Sequence, residues 1–187
     1  MDKVYKSKYF FIALIIMIIS GIATYFLLPT DMGGAIVEDF GKSFGDLSEY
    51  SALSLAIFIF LNNLRVTLIV WISGFIPFIF IPAIISAING GVIGAVLKIT
   101  SEEGSVFKDF ATSILPHGVF EIPAICIAVA MGISLCVFVI KKIKGKSDVS
   151  LAKFLKTQFI FFLKVVLPLL IVAAAIESFV TPLIMNL

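Results

Sequence analysis

The sequence predicts an all-α fold: one polytopic helical membrane domain over residues 1–187, with about five transmembrane helices, Pro-broken segments and a candidate inverted repeat. Three observations carry that prediction. Apolar residues make up 60% of the chain and the mean hydropathy is +1.16, well above the roughly 45–50% apolar share of a soluble domain. Nearly uncharged runs recur, each long enough for a helix to cross a hydrocarbon core about 30 Å thick. Lysines gather in the breaks between the runs, where they set orientation.

The first run, residues 9–28, follows Lys3, Lys6 and Lys8. It is long for a signal-peptide core, and "YFLLPTDMGG" after it offers no small-x-small cleavage site, so it reads as a retained helix. An acidic loop follows, with Asp31, Glu38, Asp39, Asp46 and Glu49 against Lys42. Its apolar residues recur at three and four over about 36–50, the pattern of a short helix lying on the membrane surface.

The stretch from Ser51 to Leu97 divides near Ser73 and Gly74 into crossings at 51–73 and 75–97, the second holding Pro77 and Pro82. In an alternative reading, residues 51–61 lie flat or re-enter the membrane. A fourth crossing at 119–140 and a fifth at 159–176 flank the lysine-rich loop "KKIKGKSDVSLAKFLK". Five crossings place this loop and the amino terminus together in the cytoplasm, with the acidic loop and the carboxyl terminus outside.

Shifted by 41 residues, "IPAIISAINGGVIGAV" overlays "IPAICIAVAMGISLCV". The two helices cross in opposite directions, so the match reads either as an inverted repeat of the transporter kind or as the shared composition of membrane helices. Small residues stand at every fourth position, Ala83, Ala87, Gly91 and Ala95 in one segment and Ala124, Ala128 and Gly132 in the other. Gly90 and Gly94 add a GxxxG on a neighbouring face, for packing within the chain or in a homodimer. Cys126 and Cys136 stand ten residues apart on one predicted helix, too far apart to bond to each other.

Ionisable groups inside a membrane are costly, and each is by default a functional hypothesis. Asn62, Asn63 and Arg65 lie in the second crossing, and a guanidinium there needs a carboxylate, a carbonyl cluster or water; Glu121 and Glu177 are the intramembrane carboxylates, and pairing with either requires a tilted or broken helix. His117 and Glu121, four apart, share a helix face continued by Ala124 and Ala128. Pro116 and Pro123 predict a bent or partly unwound start to that helix. Asn89 is placed to meet His117 and Glu121, and with Glu177 they form the candidate intramembrane polar cluster. One His and one Glu are too few ligands for a zinc site, no nucleophile motif such as GxSxG appears, and no cofactor is expected. Lys164 is near enough to the cytoplasmic end to snorkel. Nucleic-acid binding has no support.

The stretches "FLNNLRV", "NGGVIG" and above all "ILPHGVFEIPA" resemble the stage II sporulation protein M family of multipass membrane proteins, from about Ser51 to the end of the chain. The matching positions are Asn62, Asn63, Asn89, Gly90, His117, Gly118 and Glu121. The resemblance implies a membrane component of an envelope process; in sporulating bacteria the namesake belongs to a septal peptidoglycan-degrading assembly. Loops this short leave no room for an external hydrolase domain. The expected function is therefore a non-enzymatic scaffold that recruits membrane or envelope proteins. The alternative is a small transporter or channel with its site around Asn89, His117 and Glu121.

Overall fold

The computed structural model describes residues 4, 6–29, 32–35, 51–102 and 115–185, apart from the side chains of residues 102, 117 and 185. The proposed surface segment at 36–50 lies outside the described residues. Among the described residues, five helices are long and apolar enough to cross a membrane. They are α1 (Ser7–Leu27), α2 (Ala52–Ile72), α3 (Ile81–Glu102), α4 (Leu115–Ile143) and α5. The last is one continuous rod of three α segments, Leu151–Phe161, Leu167–Ala175 and Thr181–Met185, joined by π turns at Phe162–Val166 and Ile176–Val180.

Helix ends follow local chemistry more closely than hydropathy. Ser51 caps α2 by accepting from the Ser54 N–H at 3.2 Å, and Ser150 caps α5 by accepting from the Lys153 N–H at 3.2 Å, so each hydroxyl satisfies an amide that the first turn leaves free. The third crossing starts at Ile81 rather than at 75. A 3-10 turn at Ser73–Phe75 and a turn through Phe80, whose φ is +51°, take up the intervening residues, and Pro82 falls in the first turn of α3, where its missing N–H is harmless. The fourth crossing starts earlier than expected and runs unbroken through Pro123, so of the two readings of its start, bent or partly unwound, the second does not hold. The fifth begins eight residues before 159 and continues past 176.

At the centre stands α4, touched by each of the other four helices. Every residue from Ala124 to Ile133 is buried, as expected of a helix that is apolar on all sides. Free Cys126 and Cys136 are buried within it.

The closest approach joins α1 to α3. Ser86 Oγ donates to the Ala13 carbonyl at 2.9 Å. One turn on, a Cβ at Gly90 would overlap the Met17 carbonyl, and after another turn a Cβ at Gly94 would overlap the Gly21 carbonyl. Both helices advance by four between contacts, so they run parallel with their backbones touching. The Gly90–Gly94 motif thus packs within the chain. On the stripe one residue round, Ala83, Ala87 and Gly91 are only half-buried and Ala95 is fully buried. In α4, Ala124, Ala128 and Gly132 are all buried, and Gly132 lies against the Val70 carbonyl and the Pro82 ring. Gly91 instead meets the Thr24 hydroxyl. The two aligned segments run in opposite directions, but their matched glycines have unlike surroundings.

Helix α5 buries Gln158, Phe162, Val166, Leu170, Ala174 and Ser178, a repeat of four held over 20 residues. At about 100° per residue a regular α-helix would carry Ser178 roughly 200° away from Gln158. Each π turn absorbs about one extra residue, or about 100°, and two turns restore the face. Their wide bonds run from the Leu167 N–H to the Phe162 carbonyl and from the Thr181 N–H to the Ile176 carbonyl. Each ends one residue before a proline, Pro168 or Pro182, where an α bond is lost in any case. The prolines therefore widen the helix without breaking it.

Substitution separates the two glycine faces. Gly90→Ala should lower stability by roughly 1–3 kcal/mol, because backbone must move to admit the methyl, even though alanine favours helix. Gly91→Ala meets only a side-chain hydroxyl at 3.3 Å and should be near neutral. Thermal unfolding of both variants in detergent measures the difference.

Candidate functional site

The members of the predicted polar cluster lie on α3, α4 and α5. Asn89 is half-buried and donates through Nδ2 to the Ile85 carbonyl at 2.9 Å, within its own helix. The interhelical role expected of that amide is therefore taken by a local bond, which a membrane helix favours because lipid offers no water as an alternative. His117 lies in the first turn of α4, and its side chain falls outside the described residues. Glu121 is half-buried one turn on. Glu177 sits in the second π turn of α5, which packs against α2 and α4, and accepts from the Thr181 hydroxyl at 3.3 Å. Beside it, Ser178 Oγ is buried with no hydrogen-bond partner among the described residues.

The Arg65 guanidinium needs a carboxylate, a carbonyl cluster or water within the membrane, and the side chain is exposed on α2. Leu53, Ile57, Leu61, Ile69 and Ile72 are exposed on the same helix. Their spacing of mostly four residues places Arg65 within an outward apolar stripe. Asn62 and Asn63 are half-buried beside it, and Thr67 is fully buried with its hydroxyl bonded back to the Asn63 carbonyl at 2.8 Å.

One well-connected buried polar group carried no signal recognised in the sequence. Gln158 is fully buried. Its Oε1 accepts from Trp71 Nε1–H at 2.8 Å, while its Nε2 donates to the carbonyls of Val4 and Met131, each at 3.1 Å. One amide thus ties α2, α4 and α5 to the segment leading into α1. Trp71 stacks on Phe162 and Phe159, at centroid distances of 5.7 and 6.3 Å. The available signal was the four-residue repeat that begins at Gln158; a glutamine close to Lys153 and Lys156 reads instead as interfacial.

Among the described residues no group of three or more His, Cys, Asp or Glu could hold a metal. What remains is a tightly packed helical membrane protein, with a polar tie at its lysine-rich end and an arginine on its outer surface. The chain belongs to the stage II sporulation protein M family, which it matches over residues 10–182. That span takes in most of α1 as well as the part from Ser51 onward where the resemblance was first legible. An uncharacterized protein of Methanocaldococcus jannaschii is 33% identical over 129 residues, covering 65% of this chain and 67% of that protein. No solved structure matches the chain.

The tie can be tested by removing its amide. Gln158→Leu leaves the indole N–H buried without a partner and should cost about 1–2 kcal/mol. Because Trp71 is the only tryptophan, loss of its hydrogen bond should also shift the emission maximum to the blue. An unchanged spectrum would place the indole elsewhere.

Proposed function

We propose that the protein is a non-enzymatic membrane scaffold that recruits another membrane protein in an envelope process. The lysine-rich ends would face the cytoplasm and the carboxyl terminus the outside, by the distribution of basic residues. The supporting observation is Arg65, exposed within the apolar stripe of α2. A cation at mid-span costs about 2.5–3.5 kcal/mol on insertion scales, and such residues normally face a bundle interior or a partner. A partner helix carrying an aspartate or glutamate at the same depth would recover that cost. A twofold dimer with its axis through this face would set two guanidiniums side by side, so a different protein fits better than a second copy.

The transporter reading draws less support. Asn89 is bonded within its own helix, and the centre of the bundle from Ala124 to Ile133 is apolar and buried.

Two measurements test the proposal. A photo-cross-linker at Leu61 in native membranes should capture a partner, and Arg65→Leu should reduce that adduct at least fivefold while Arg65→Lys retains most of it. Adducts indifferent to Arg65 would refute the recruiting role. Reconstituted protein should conduct no ions, with or without Glu121→Gln; flux abolished by that substitution would establish the transporter reading instead.

A further inference from the structure

A groove of about 450 Å³ opens on the surface of the bundle where α2, α4 and α5 meet, lined by Trp71, Phe75, Leu135, Leu155, Phe159 and Lys156 among others. Its walls are apolar. The charged lining residue is Lys156, whose side chain is exposed.

Three features locate this groove at the level of lipid headgroups. Leu155, Lys156 and Phe159 lie in the first three turns of α5, directly after the loop that follows α4. Trp71 and Phe75 mark the end of α2 and the turn beyond it, on the same side. Lys141, Lys142, Lys144, Lys146 and Lys153 are all exposed at that end. Tryptophan and lysine together mark the boundary between hydrocarbon and headgroups.

We propose that this groove is a binding site for one anionic phospholipid. An acyl chain occupies the apolar channel between Trp71 and Leu135, and the Lys156 ammonium holds the negatively charged headgroup above it. A zwitterionic lipid fills the channel equally well but presents its own cation near Lys156, so the charge at the rim selects the headgroup. The other lysines enrich anionic lipid around the protein without fixing its place. A second copy or a partner helix suits the groove less well, because either would have to bury Lys156 in an apolar contact.

The sole tryptophan lies in the wall, so its emission reports the occupant. The full chain is reconstituted in vesicles containing equal mole fractions of phosphatidylglycerol or phosphatidylcholine with brominated acyl chains, the bromine being the quencher. Brominated phosphatidylglycerol should quench Trp71 at least twice as strongly as brominated phosphatidylcholine. Lys156→Gln should bring that ratio to about one, Lys156→Arg should keep it, and Lys146→Gln, in the loop away from the groove, should leave it unchanged. Equal quenching by the two lipids in the wild type overturns the proposal. So does a preference that survives Lys156→Gln, or one that falls equally with Lys146→Gln, which would mark surface charge alone. Absence of quenching by either lipid means that protein covers the groove, and overturns it as well.

Discussion

Lipid gives two apolar helices no hydrophobic reason to associate, so this fold depends on how closely backbones can approach. The crossing of α1 and α3 answers that requirement. Ser86, Gly90 and Gly94 present a face with almost no side chain, and the carbonyls of Ala13, Met17 and Gly21 lie against it. The same solution recurs where Gly74 and Gly132 bring the end of α2 onto α4. Dispersion forces are weak per atom pair and fall off quickly with distance, so a single methyl in either crossing opposes the fold over a whole turn. The polar bonds are added on top of that contact. Ser86 joins α1 and α3 from inside the seam, and Gln158 gathers the opposite side of the bundle around Trp71.

Much of this was legible in the sequence. The five apolar runs correspond to the five long helices because backbone groups in hydrocarbon must bond internally, and that requirement reads directly as hydropathy. Helix ends were less legible. Pro116 and Pro123 point to a bent or partly unwound start of α4, yet both fall within one continuous helix. Hydropathy also says nothing of where an apolar helix continues into charged sequence, and α5 begins at Leu151 among lysines for that reason.

The site was less legible than the fold. A charge at Arg65 calls for a partner, but sequence does not say whether that partner is a carboxylate, a carbonyl or water, or whether it belongs to the same chain. Asn89 lies on α3 as expected and still makes its bond locally. Gln158 was missed because its significance depends on a face repeating every four residues, a period that no ordinary helix sustains. Reading it required knowing that α5 is underwound at two places.

Those two places have a consequence for how the family can vary. The α segments of α5 before, between and after the π turns are separately phased, like sections of a shaft joined by couplings. A relative that lost one coupling, along with its extra residue, would present the same buried face to α4. A relative that lost the residue elsewhere would turn everything beyond it by about 100°. In such a chain Glu177 and Ser178 would leave the bundle, while the tie at Gln158 stayed in place. The orientation of the far end of this helix therefore depends on where a residue is lost, for a change in length of only about 1.5 Å.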